Sequence, residues 1–131
     1  MSTDNEPLVK VAPEFFVRDV EAAVRFYVDK LRFVVLRQES IFAVVALGDA
    51  HVLLAHESIA PDRAQLPATA RGAGVNIRIM VDDVDEVHQR AKANGVRIVH
   101  DIADRDYGLR DFIIADADGF MLRFAQALAG H

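Results

Sequence analysis

Residues 17–21 read Val-Arg-Asp-Val-Glu and residues 81–85 read Val-Asp-Asp-Val-Asp, one strand-to-helix junction written twice at an offset of 64 residues. In each copy an apolar run ends and an aspartate stands at the N-cap position. An acidic residue then follows in the first turn, where the helix dipole favours negative charge. Upstream of the first junction, Lys10–Val17 (KVAPEFFV) has strand character, with Pro13 pointing to an edge or irregular position. Downstream, Ala23, Val24, Tyr27, Val28 and Leu31 recur at spacings of three and four, which predicts an amphipathic helix over 20–31. The second copy follows the same plan: a strand over 75–81, then a helix over 84–94 that Gly95 stops. Strands over 33–37, 41–47 and 50–56 follow the first helix, with a tight Gly48-Asp49 turn. Strands over 97–102, 111–115 and 120–125 follow the second, the last two joined by Asp116-Ala117-Asp118-Gly119. Both halves therefore read strand–helix–strand–strand–strand, an α+β pattern.

Composition narrows the function. The chain has 131 residues, 52% of them hydrophobic and 27% charged, enough for one domain with a sizeable core. It has no cysteine, which excludes disulfides, thiolate metal sites and a cysteine nucleophile. The net charge of −5, with no basic run, argues against nucleic acid as a partner. No apolar stretch approaches the ~18 residues of a membrane span, so no membrane partner is expected. Residues 1–7 are polar and read as a flexible tail without the features of a signal peptide, so a cytoplasmic protein is expected. A single domain is expected over 8–127: module one at 8–56, a Pro- and Gly-containing linker at 57–74, and module two at 75–127.

Three stretches carry a family resemblance: VAPEFFVRDVEAAVRFYVDKLRFVV at 11–35, GVNIRIMVDDVDEV at 74–87 and YGLRDFIIADADGFMLRF at 107–124. Together they resemble the vicinal oxygen chelate superfamily, which includes glyoxalase I, extradiol dioxygenases, and fosfomycin- and bleomycin-resistance proteins. The resemblance implies two βαβββ modules, each curling its mixed sheet into an open half-barrel around a cavity. It also implies a divalent metal held by His, Gln or Glu from the first and last strand of each module. The matching positions here are Ala12, Leu53 or Leu54, Asn76 and Arg123. Alanine and leucine offer no donor, asparagine is a weak ligand, and arginine brings a fixed cation. The likeness therefore falls closest to the metal-free bleomycin-resistance style of protein. No cofactor, no metal ligand and no catalytic residue is expected, and enzyme activity stays open. The alternative is a metal-dependent isomerase, lyase or dioxygenase with a displaced site built on Glu14 and His56.

Strand alternation then predicts the walls of a ligand site. With Ala12 facing the cavity, Glu14 and Phe16 face it too, while Phe15 and Val17 pack beneath the helix. In module two Asn76, Arg78 and Met80 face the cavity, with Met121 and Arg123 from the last strand. Phe42, Leu54 and Tyr107 complete the expected set. Thioether and aromatic walls with a few charges suit a small, partly apolar ligand. Glu14 and Arg78 occupy equivalent positions in the repeat and are expected to be neighbours of opposite charge. A homodimer is expected to cover exposed strand edges, with 33–36 and 57–74 taking part.

Overall fold

The computed structural model describes residues 6–130, so most of the expected N-terminal tail, residues 1–5, lies outside the described residues. The chain divides into two compact units between Pro67 and Ala68.

In the first unit, β1 (Glu14–Val17) leads to α1 (Val20–Arg25), followed by β2 (Val34–Gln38), β3 (Phe42–Leu47) and β4 (Ala50–His56). The sheet order is β1-β4-β3-β2, with β1 parallel to β4 and the other pairs antiparallel. Asp19 caps α1, its carboxylate accepting from the Ala22 N–H at 3.0 Å. Val20, Val24, Tyr27 and Leu31 are buried at spacings of four, three and four, and with Phe15, Val17, Val52 and Leu54 they form the core between helix and sheet. The expected single helix is not uniform: residues Phe26–Lys30 form a π-helical turn. Arg32 then closes the helix in the left-handed region, at φ 60°. Phe33 follows, buried edge-on against Tyr27 with ring centroids 5.3 Å apart. Strand β1 starts four residues later than expected, although the Pro13 carbonyl still accepts from the Leu53 N–H at 2.9 Å.

The second unit repeats the plan with β5 (Asn76–Met80), α2 (Val84–Ala93), β6 (Arg97–Asp104), β7 (Leu109–Ala115) and β8 (Met121–Ala127), in sheet order β5-β8-β7-β6. Asp83 caps α2 by accepting from the Glu86 N–H at 3.1 Å, and the Gln126 side-chain oxygen accepts from the Val84 N–H at 2.9 Å. Gly95 ends the helix at φ 70°, as its position predicts. Phe112, Ile114, Leu122 and Phe124 are fully buried, with the Phe112 and Phe124 rings stacked at 5.6 Å. β6 runs past the expected Ile102 because register shifts at 98/100 and 100/103 let it stay paired to β7.

The Asp-x-Asp-Gly turn has a structural role. The Asp116 carboxylate accepts from the Asp118 and Phe120 N–H groups at 3.0 and 2.9 Å, which fixes the turn between β7 and β8. Residues 70–72, from the end of the expected linker, lie against it: the Arg71 and Gly72 N–H groups donate to the carbonyls of Asp118 and Gly119 at 3.1 and 3.0 Å. The approach is backbone on backbone. A Cβ on Gly72 would meet the Gly119 carbonyl oxygen at 2.7 Å, and one on Gly119 would meet the Ala70 Cα at 2.6 Å. The first half of the same stretch holds two short 3₁₀ turns, Glu57–Ile59 and Arg63–Gln65. Among the described residues, no helix is long and apolar enough to cross a membrane.

Candidate functional site

In the first unit the sheet face opposite α1 carries a recess of about 240 Å³ lined by Glu6, Leu8, Val9, Ala12, Arg37, Phe42, His51 and Leu53. Its walls are mostly apolar and its charges are partnered. The Arg37 guanidinium donates to the Glu39 carboxylate at 2.9 Å and lies 5.4 Å above the Phe42 ring. The register pairs Glu14 with Leu53 and Phe15 with Leu54, and paired residues share a face. Leu53 therefore faces the recess, while Leu54 is 0% exposed on the helix side. This corrects the expected wall position by one residue. Either leucine satisfies the apolar pattern of a strand buried on both faces, so alternation could not choose between them. Glu14 is exposed and Phe16 half-buried, both on the open face. His56 pairs with Val17 on the helix side, and its Nδ1 accepts from the Ser58 N–H at 3.1 Å. Glu14 and His56 thus point to opposite faces, which removes the displaced ligand pair.

In the second unit Asn76, Arg78 and Met80 pair with Met121, Arg123 and Ala125, so all six share the face opposite α2. Asn76, Arg78 and Met80 are exposed there, and Met121 and Arg123 half-buried. Asp111, Ile113 and Ala115 from β7 lie on the same face, paired with Ala125, Arg123 and Met121.

Asp111 is the centre of a cluster that the expectations did not contain. Its residue is 1% exposed, yet its carboxylate is fully engaged. Arg105 Nε donates to Oδ1 at 2.9 Å, the Tyr107 hydroxyl donates to Oδ2 at 2.7 Å, and Arg123 Nη1 stands 3.5 Å from Oδ2. Burial pushes the Asp111 carboxyl up, but the Arg105 and Tyr107 hydrogen bonds outweigh it, and the group is held below the usual carboxylate value. The same bond to Asp111 raises Tyr107, which keeps its proton. Arg123 Nη1 also donates to the Tyr107 oxygen at 3.4 Å, while its Nε is buried with no partner among the described residues. Tyr107 occupies the turn between β6 and β7 that Gly108 makes possible at φ 89°. The sequence signal for this cluster was an acidic residue in the run Leu-Arg-Asp-Phe-Ile-Ile. Its partner Arg105 comes from across the turn, in a register that spacing alone does not reveal.

The family's metal positions can now be tested by their chemistry. Ala12 and Leu53 supply no donor. Asn76 supplies one weak oxygen, and Arg123 is already engaged with Tyr107 and Asp111 as a cation. No group of three or more His, Cys, Asp or Glu side chains suited to a metal ion occurs among the described residues. These residues do not fit a resident divalent metal.

Comparison with known proteins agrees with the architecture. The sequence model described as "Glyoxalase/Bleomycin resistance protein/Dioxygenase superfamily" matches residues 9–124. A bleomycin resistance protein of Geobacillus stearothermophilus is 27% identical over 132 residues, spanning 92% of this chain and 98% of its own length. The crystal structure of TioX from Micromonospora sp. ML1 is 28% identical, with a TM-score of 0.69 over 89% of this chain and 97% of that one. A superfamily member from Sphaerobacter thermophilus DSM 20745 superimposes with a TM-score of 0.74 over 91% of this chain and 98% of that one, at 23% identity.

Proposed function

Because the chain belongs to the glyoxalase/bleomycin resistance protein/dioxygenase superfamily, we propose that it is a small-molecule binding protein that works without a resident metal and sequesters its ligand rather than transforming it. One observation carries this reading: the positions where the superfamily places metal ligands hold alanine, leucine, asparagine and arginine. Lewis-acid chemistry needs open coordination positions on a held metal, and this donor set does not hold one. The binding walls proposed for the ligand are Phe16, Phe42 and Leu53 in the first unit, with Glu14 at its rim. In the second they are Asn76, Arg78, Met80, Tyr107, Met121 and Arg123. Aromatic, thioether and aliphatic surface beside a few oriented charges suits an organic molecule with one polar end. The bleomycin-resistance relatives support binding as the function, at an identity that leaves the ligand open.

The working form is proposed to be a cytoplasmic homodimer. Val34 and Val35 are exposed on β2, an edge strand of its sheet, and a second copy would cover them. Phe33, first expected at this interface, is buried in its own unit and belongs to the core.

The test combines metal analysis of the purified protein with a thermal-shift screen of small organic molecules. Sub-stoichiometric metal together with ligand-dependent stabilisation is expected, since a ligand bound only by the native state must raise its melting temperature. Stoichiometric zinc, nickel, manganese or iron would overturn the metal-free reading. A broad screen without a single stabilising compound would favour a closed structural dimer instead.

A further inference from the structure

We infer that the open face of the second unit selects its ligand by a carboxylate, held between Arg78 and Arg123. This deepens the binding function proposed above and rests on it. The observation is a segregation of charge. The chain is acidic overall, at −5. Yet the register places Arg78, Arg123 and Arg97 on one face of this sheet, and Asp111 is the only carboxylate in register with them.

Asp111 is one carboxylate shared among Arg105, Tyr107 and Arg123, so its single charge leaves this face with an excess of cations. Arg78 and Arg123 are direct cross-strand partners on β5 and β8. Like charges so placed repel, and a sheet keeps such a pair only at a cost to its stability. The Arg78 side chain makes no hydrogen bond or ion pair with any described residue of its own unit. Arg123 is held by one end: Nη1 lies on the Tyr107 oxygen and near Asp111. The opposite edge, Nε and Nη2, has no protein partner among the described residues, and the Nε is buried. Buried donors are normally satisfied, and here Nε is a donor the protein leaves unsatisfied while Nη2 beside it is the donor turned to a ligand oxygen. The Asp111–Tyr107 clamp fixes the arginine beforehand, so little ordering is left for the ligand to impose.

The surroundings define the rest of the molecule. Met121 precedes Arg123 by two positions on the same face, Met80 follows Arg78 by two, and Ile113 is the cross-strand partner of Arg123. The two methionines flank the arginine pair on opposite sides, so an apolar body leaving an anionic head in either direction along the strands meets a thioether. The ligand class is an amphipathic organic carboxylate, and a cationic head is disfavoured at the same spot.

The experiment uses the full chain and matched probes that differ only in the head: 4-phenylbutyrate, 4-phenylbutanol and 4-phenylbutylamine, with phenyl phosphate and inorganic phosphate as further arms. Calorimetry and thermal shift should find the carboxylate bound at least tenfold more tightly than the alcohol, with the amine weakest. Its affinity should fall as sodium chloride rises. Arg78→Gln and Arg123→Gln should each cost the carboxylate roughly tenfold or more, as expected for a charge-assisted hydrogen bond, and leave the alcohol unchanged. Arg78 is exposed and unpaired within its unit, so Arg78→Gln keeps the test sound should Arg123→Gln fold poorly. Phenyl phosphate binding more tightly than 4-phenylbutyrate would overturn the carboxylate assignment, as would inorganic phosphate binding as well as either. Equal binding of alcohol and carboxylate would overturn the inference while leaving the small-molecule function standing. Failure of every arm would count against both.

Discussion

Replacing Gly119 with alanine tests whether the turn before β8 is locked by the segment at 70–72. Two separate costs meet at this position. The backbone has φ +88°, where an L-residue is strained by about 1–2 kcal/mol. The new Cβ would also stand 2.6 Å from the Ala70 Cα and 2.7 Å from its nitrogen, distances that the backbone must open. Forced overpacking of this kind costs about 1–3 kcal/mol. The sum is a loss of about 2–5 kcal/mol, a large part of the stability of a small protein. Gly74 supplies the control, since it has nearly the same φ, +87°, and nothing within 4 Å of its hypothetical Cβ. Gly74→Ala should therefore show the strain alone. Urea unfolding followed by far-UV circular dichroism measures both variants, read as midpoints with the slope held comparable. Equal destabilisation by Gly119→Ala and Gly74→Ala would refute the close backbone contact.

Asp111→Asn should destabilise the protein by about 3 kcal/mol at neutral pH, because it leaves the Arg105 and Arg123 charges uncompensated. The Asp111 carboxyl lies below its ordinary value of 3.8 when folded, so its contribution is present above that value and lost as pH falls toward the folded one. The gap between wild type and variant in urea titrations should accordingly narrow below pH 3.8. Arg32→Gly should raise stability by about 1 kcal/mol in the same assay, since φ 60° suits glycine and strains arginine. Incubation with EDTA should leave the melting temperature unchanged, and a fall of several degrees would restore the metal reading. Light scattering at micromolar concentration should return a dimer mass, and Val34→Lys with Val35→Lys should shift it toward the monomer.

The sequence showed its fold wherever one side of an element was apolar and the other was not. Phe15 and Val17 on β1, Ile79 on β5, and Leu122 and Phe124 on β8 are buried under their helices as alternation required. The aspartate caps and Gly95 were legible because their chemistry is local. Legibility failed in β4, where Val52-Leu53-Leu54-Ala55 is apolar on both faces and carries no parity. It failed again at Asp111, whose meaning depends on Arg105 and Tyr107 reaching it around a hairpin turn. It failed at 26–30 because a π-helical turn keeps the apolar spacing of an α-helix nearly intact.

That π-helical turn bears on how the two halves came to differ. From the capping Asp19 to the buried Phe33 is 14 positions, and from Asp83 to the buried Val96 is 13. The first half carries one residue more between equivalent landmarks, and the widened turn at Phe26–Lys30 is where the surplus is taken up. Tyr27 and Leu31 keep their places against the sheet, so the extra residue disturbs neither the core nor the strand that follows. The left-handed residue after the helix has kept its place as well: Arg32 in the first half does the work of Gly95 in the second. A repeated module thus accommodates a change in length within a single helical turn without moving the side chains that pack on its sheet.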